Sequence, residues 1–502
     1  MSASRVPCDQ CRQRRIRCDG MSPCASCQRA QLACCREYIR KRRGPKHGHG
    51  KRIQALRAWQ SVSGLESARN RMERESLPLS AEGLPQLIEL CIRVYVERMY
   101  PVMPLFQTPD LIYRLKRPLA PNEYSMLCAL SAMVVTFTCG RDGAYLLQGQ
   151  GMEWRAVAQF LLRKCLAMRL MFAFVDDTSV MTLLASFFVA VSQFELGDSR
   201  SSWFYLREAI TLAQGLGLDT HPFQDGVENS DGVDLCRIYN ILFVTERSLA
   251  ISRHMPVLLP HALQPPRETS DEAQPDVNAG FAQLVWVYSQ IDVAFIDFWR
   301  KENAASSSQP WTARDIRLLT ECPLLPDTQK ADILVTQHWL QHVFWMAALR
   351  QGLISRQAEM HSRTFQYPED LALSLLQVLS NLPSEAVQLH GLGIFEKIFD
   401  VANTLADLTD YSARVAGWTQ AMAQNLDRLA ALQRHLLMTP NSQSKYASFL
   451  GSRIAQLYIC YGSLSDIANE SEYLHTDPVR EAQQDGAIAL SDLISGSSRM
   501  WS

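Results

Sequence analysis

The sequence predicts an all-α protein with a small cysteine-built head and a large helical body. Three observations carry that prediction. Six cysteines between Cys8 and Cys34 repeat one spacing, which scattered core thiols would not do. From about residue 85 onward, long apolar segments with helical periodicity alternate with short polar breaks. Alternating strand patterns and the Gly-rich turns of sheet proteins are scarce.

The chain has 502 residues, enough for a few domains at roughly 100–200 residues each. Its net charge of −1 hides an asymmetry. Residues 1–57 hold 15 Lys/Arg against 3 Asp/Glu, while the rest holds 35 basic and 48 acidic residues. A basic head on an acidic body suggests that the head meets a polyanion. The N-terminus lacks the apolar core of a secretory signal. The apolar run 126–139 is too short to span a bilayer, and 178–194 is interrupted by Ser and Gln. The expectation is therefore no membrane partner and a reducing compartment, where clustered cysteines favour metal over disulfides.

The head reads Cys8-x2-Cys11-x6-Cys18-x5-Cys24-x2-Cys27-x6-Cys34, two copies of C-x2-C-x6-C joined by five residues. Each C-x2-C pair can offer two thiolates to one ion at the start of a short helix. Zinc takes four ligands. Six thiolates give two ions four ligands each only if two of them bridge. A disulfide knot is the competing reading, and the repeated spacing argues against it. Cys35 lies outside the repeat and is expected to be a bystander. With every ligand position filled, such a cluster is structural and has no place for a substrate.

From Cys8 to Cys34, with Pro23 in the connecting loop, the pattern resembles the fungal Zn(2)-C6 binuclear cluster family of transcription factors. The resemblance implies two zinc ions bridged by Cys8 and Cys24. It also implies a first helix that enters the DNA major groove and reads a CGG triplet through Arg14 and Arg15. An arginine fork suits the O6 and N7 acceptors of guanine. Arg12 and Arg17 are expected on phosphates, which set position but carry no sequence information. Arg29 is a further phosphate contact or simply solvated.

Residues 38–84 are expected to be a basic linker with a possible short coiled coil. Arg40 to Arg52 is rich in Lys, Arg, Gly and Pro, which suits an extended tether along phosphates and a nuclear-import signal. His47 and His49 lack partners at ligand spacing and read as linker. Ile53, Leu56, Trp59, Val62, Leu65 and Ala68 follow a near-helical spacing that could pair two chains, although Ser63-Gly64 interrupts it.

In the body, helices are expected at 94–103, 124–139, 154–174, 180–194, 203–216, 331–354, 370–382, 393–408, 421–437 and 446–460. The stretches Tyr100–Pro104, Trp203–Leu218 and Ile241–Arg247 are similar to the fungal-specific transcription factor, or middle homology, domain. That resemblance implies a regulatory domain over 85–330, followed by a C-terminal helical region, 331–502. Arg207-Glu208 and Glu246-Arg247 are expected to form structural ion pairs rather than an effector site. Trp203, Trp299, Trp339 and Trp345 are expected in the core. The tail 463–502 reads either as an activation segment or as a helical end.

The resulting expectation is a nuclear, sequence-specific regulator of RNA polymerase II genes, in sugar catabolism or secondary metabolism. Its expected partners are double-stranded DNA with CGG triplets, the transcription machinery or coregulators, and a possible second copy of the chain. Activation is expected from family tendency. The competing reading is a cytosolic enzyme or metabolite sensor with a purely structural zinc module. No phosphate-loop, dinucleotide, zinc-protease or nucleophile-elbow pattern supports it. RNA binding is disfavoured, because residues 1–37 hold no Phe or Trp for base stacking.

Overall fold

A computed structural model describes residues 7–37, 83–106, 111, 114–139, 153–219, 234–263, 275–301, 325–355, 357–417 and 419–468. The chain divides into two compact units, residues 1–76 and 77–502. Among the described residues, the regular elements are helices and short helical turns. The linker from Arg40 with His47 and His49, the segment 53–72 and the tail beyond residue 468 lie outside the described residues.

The first unit holds two five-residue helices, α1 (Asp9–Gln13) and α2 (Ala25–Arg29). The second opens with α3 (Gly83–Val94), which continues as a π turn, Tyr95–Met99. Helicity stops there, ahead of Pro101 and Pro104, and not at Met103 as expected. Tyr100 still has helical backbone, but Pro101 has no N–H to carry the helical hydrogen bonding on. Helix α4 (Pro121–Phe137) is apolar nearly all round, so it is buried on every side and forms the centre of the first core. It begins before Tyr124 because Pro121 suits a first helical position and the Glu123 carboxylate accepts the Ala120 N–H at 3.0 Å.

Helices α5 (Trp154–Met168) and α6 (Val180–Glu195) pack against α4, and α7 (Ser199–Gly215) packs on α6. The expected helix 154–174 ends at Met168. There the buried Arg169 turns its guanidinium to Glu208 (2.6 Å) and Ser186 (2.9 Å), and two short 3₁₀ turns follow. Helices α8 (Leu235–Arg253), α9 (Pro275–Ser289) and α10 (Val293–Arg300) complete this core.

A second core gathers α11 (Asp327–Arg350), α12 (Tyr367–Asn381), α13 (Ser384–Gln388), α14 (Leu392–Ala416), α15 (Gln420–Leu436) and α16 (Ser448–Ala468). Helix α11 serves both cores. Ala331 and Val335 face the second, while Ile333, Trp339 and Leu340 face the first. Where α9 meets α11, a Cβ on Gly280 would lie 2.1 Å from Gln329 Oε1, so any larger residue would have to displace that amide. Gly391, at φ +61°, sits under the Glu195 carboxyl in the same way.

The charged pairs of the body tie helices together. Glu246 is fully buried, and its carboxylate accepts from Arg207 (2.9 Å), Leu258 N–H (2.7 Å) and Leu259 N–H (2.9 Å). Arg247 donates to the carbonyls of Ile291 and Pro260, each at 3.1 Å. Trp299, Trp339 and Trp345 are buried, and Trp203 packs partly buried against the first core. No single described helix is long and apolar enough to cross a membrane. The bent pair α9–α10 buries Phe281, Tyr288, Phe295 and Trp299 in the first core.

Candidate metal centre and nucleic-acid interface

The two halves of the head repeat each other in backbone detail. Cys8 and Cys24 are both N-caps in extended conformation. Each helix closes with the same pair of hydrogen bonds. Arg15 N–H donates to Arg12 O (3.2 Å) and Ile16 N–H to Cys11 O (3.0 Å). Gln31 N–H donates to Gln28 O (3.3 Å) and Leu32 N–H to Cys27 O (3.0 Å). This is the Schellman closure, and it places Arg15 (φ 52°) and Gln31 (φ 51°) in the left-handed region.

That closure ends the first helix before Arg14 and Arg15, the two residues expected to read the triplet from it. The helix ends at Gln13, so Arg12 lies on it, Arg14 caps it, and Arg15 and Arg17 lie beyond it. All four side chains are solvent-exposed on one connected stretch between Cys11 and Cys18. Arg29, in the second half, is exposed as well, with its Nε 3.4 Å from the Ala25 carbonyl.

The six sulfurs form two groups of four, Cys8–Cys11–Cys18–Cys24 and Cys8–Cys24–Cys27–Cys34, which share Cys8 and Cys24. Within the groups, Sγ–Sγ distances are 3.7 Å (Cys8–Cys24), 3.6 Å (Cys11–Cys24) and 3.5 Å (Cys8–Cys27). Sulfur atoms bonded to one tetrahedral zinc at about 2.3 Å are separated by about 3.8 Å, so the donors suit that ion. They are too far apart for S–S bonds of about 2.05 Å, and all six thiols are free. Cys35 belongs to neither group.

Burial makes the same point. The interior of the head consists of Cys8, Cys11, Cys24 and Cys27, with Cys18 and Cys34 packed against them. Its large apolar side chains, Ile16, Met21 and Leu32, are each at least 40% exposed. Among the described residues 7–37 there is no apolar core, so this stretch needs another source of folding energy, such as metal ligation.

The two shared sulfurs are both held below the ordinary thiol range. Cys8 is held there first by the backbone N–H of Cys11. Cys24 is desolvated, but the Cys27 N–H, at 3.4 Å from its sulfur, and neighbouring thiols more than offset that. Desolvation pushes Cys11 up to about 12 and raises Cys27 as well. Protons on crowded thiols are what a bound dication would displace.

Three residues that the spacing does not reveal position this scaffold. Asp19 accepts the N–H groups of Met21 (3.1 Å) and Ala25 (2.8 Å), which fixes the loop into α2 and holds its carboxyl below the usual range. Asp9 accepts Glu37 N–H (2.7 Å) and Gln10 accepts Cys35 N–H (3.0 Å), which fasten the end of the head to α1. The Asp19-Gly20 pair is a legible turn signal. The other two contacts are long-range and leave none.

Residues 6–45 match the fungal Zn(2)-Cys(6) binuclear cluster domain, which binds two zinc ions. The chain is 26% identical over 451 residues to a probable sucrose utilization protein of Candida albicans, covering 87% of this chain and 85% of that one. It is 23% identical over 427 residues to a maltose fermentation regulatory protein of Saccharomyces cerevisiae, covering 83% and 87%. An arabinolytic transcriptional activator of Emericella nidulans is 35% identical over 85 residues, 16% of this chain and 9% of that one. Residues 6–45 are thus a fungal Zn(2)-Cys(6) binuclear cluster domain, and the chain is a DNA-binding transcription regulator.

Proposed function

We propose that the chain is a nuclear activator of sugar-utilization genes that recognises CGG triplets through the arginine stretch of its head. The observation that carries this reading is the exposed run Arg12–Arg17 held between Cys11 and Cys18. Cys8, Cys11, Cys18 and Cys24 hold one zinc ion, Cys8, Cys24, Cys27 and Cys34 hold the other, and Cys8 and Cys24 bridge. The ions neutralise the thiolates and fix the backbone that carries the arginines.

Arg14 and Arg15 face guanine edges in the major groove, and Arg12 and Arg17 face phosphates. Residues 1–37 are the reading module, 38–84 a basic tether and possible pairing segment, 85–330 the regulatory domain and 331–502 its helical continuation. The coverage of two sugar-utilization relatives along more than four-fifths of the chain supports the choice of target genes. Pairing of two chains on two triplets and recruitment of coregulators complete the reading. Genome-wide binding of the tagged chain tests it. Enrichment should fall at CGG-containing promoters of genes for sugar uptake and hydrolysis, and enrichment without CGG triplets or at unrelated genes would contradict it.

A further inference from the structure

The two halves of the head brace each other crosswise. The segment after Cys34 runs along α1. Cys35 O accepts the Asp9 N–H (2.9 Å), Cys35 N–H donates to Gln10 Oε1 (3.0 Å), and Glu37 N–H donates to Asp9 Oδ2 (2.7 Å). The segment around Cys18 holds α2 in the matching place. Asp19 Oδ2 accepts the Ala25 N–H (2.8 Å), and Ser26 Oγ donates to the Arg17 carbonyl (3.4 Å). The bracing is unequal, however. The cysteine repeat pairs Asp9 with Ala25 and Gln10 with Ser26. Two helix side chains therefore grip the crossing segment at α1, with a carboxylate and an amide, where α2 has a methyl group and one long hydroxyl contact.

That inequality follows the inequality in charge. The same repeat pairs Arg12, Arg14, Arg15 and Arg17 with Gln28, Ala30, Gln31 and Ala33. The stronger clasp thus sits on the helix that leads into the arginine stretch. A five-residue helix has no stability of its own. The one buried residue of α1 is Cys11, so no apolar side chain seats it. Two ligand sulfurs, on Cys8 and Cys11, fix a line and leave rotation about it. Hydrogen bonds from Asp9 and Gln10 to a second segment remove that rotation. Recognition by a bidentate fork needs placement within about 0.5 Å, which only a fixed support provides.

We infer that Asp9 and Gln10 are positioning residues for base reading. By clasping residues 35–37 against α1, they hold the stretch Arg12–Arg17 at the angle at which arginine forks meet base edges. They act through Arg14 and Arg15. The inference rests on the arginine reading above, and it adds the residues that aim the arginines. Phosphate contacts depend on charge and carry no sequence information. Loss of the clasp should therefore cost base preference while general affinity for duplex DNA is kept.

Selection by the zinc-loaded full chain from duplexes with a randomised triplet, at one fixed salt concentration, tests this, together with zinc content. The double variant Asp9→Ala, Gln10→Ala should keep two zinc ions per chain. It should bind the unselected pool about as well as wild type, and enrich the preferred triplet at least roughly threefold less, the scale of a hydrogen bond or two. Gln10→Ala alone should show a smaller loss of the same kind. Asp9→Asn removes the charge and keeps an acceptor for the Glu37 N–H, so it should retain most of the wild-type enrichment. That rescue separates the clasp from a general effect of charge near DNA. Unchanged enrichment in the double variant, equal losses on selected and unselected duplexes, or loss of zinc would each overturn the inference. Wild-type enrichment of a triplet other than CGG removes the CGG reading alone, because the variants are scored against whichever triplet wild type selects.

Discussion

Arg15 occupies the position after a helix that glycine usually fills, and it does so at φ 52°. Gln31 repeats the conformation in the other half, so the geometry belongs to the scaffold, while the guanidinium belongs to the first half only. This allows the two to be separated. Arg15→Gly should leave the head at least as stable, because left-handed backbone costs a side-chain-bearing residue about 1–2 kcal/mol. It should still weaken CGG binding by about 1–3 kcal/mol and relax base preference. Titration of wild type and variant onto a set of altered triplets checks this, and unchanged relative preference would remove Arg15 from base reading. The arginine was legible in the sequence. Its conformation was not, because backbone hydrogen bonds to Arg12 and Cys11 set it. Glu246 offers a residue-scale test in the body. Glu246→Leu strands the Leu258 and Leu259 N–H groups and breaks the contact with Arg207. A loss of about 3–5 kcal/mol is expected in urea denaturation.

Among the elements, the helices with strong apolar periodicity were legible, and their ends depended on local chemistry. Helices α4 and α6 are apolar nearly all round and could not be missed. Helix α9 carries Val277, Phe281, Leu284 and Tyr288 at helical intervals, a signal that was available. Helix α10, with eight residues, is too short for periodicity to decide. Caps fix several starts. Asp234 Oδ1 accepts the N–H groups of Cys236 (2.9 Å) and Arg237 (3.1 Å) at the head of α8, and Asp234→Ala should cost about 1 kcal/mol in denaturant unfolding.

The junction of α6 and α14 gives a pH test. Glu195 accepts the Leu392 N–H at 2.6 Å in a buried setting that raises its carboxyl from 4.5 to about 8. The folded value lies above the unfolded one, so protonation favours the fold. This contribution is complete below about pH 4.5 and is lost as pH rises to about 8. Glu195→Gln should flatten the fall in unfolding temperature between pH 5 and 8.5, a range chosen to span roughly that window. Parallel profiles for wild type and variant would contradict this.

At the scale of the whole molecule, the two units draw their stability from different sources. The head has thiols where an apolar core would be, and the body has two apolar cores. Chelation should therefore abolish DNA binding and unfold the head while far-ultraviolet circular dichroism of the body changes little. This division was visible in the sequence as a basic cysteine repeat joined to acidic helical periodicity. The sharing of α11 between the cores was not, because it arises from contacts between distant segments. The central claim is that a two-zinc scaffold presents arginines to a CGG triplet. The most direct test is the affinity of the zinc-loaded full chain for a CGG duplex relative to one with the triplet scrambled, at one fixed salt concentration. The account predicts a preference of at least about tenfold, as one to two well-placed arginine–guanine contacts would give. Equal affinity for the two duplexes would contradict it.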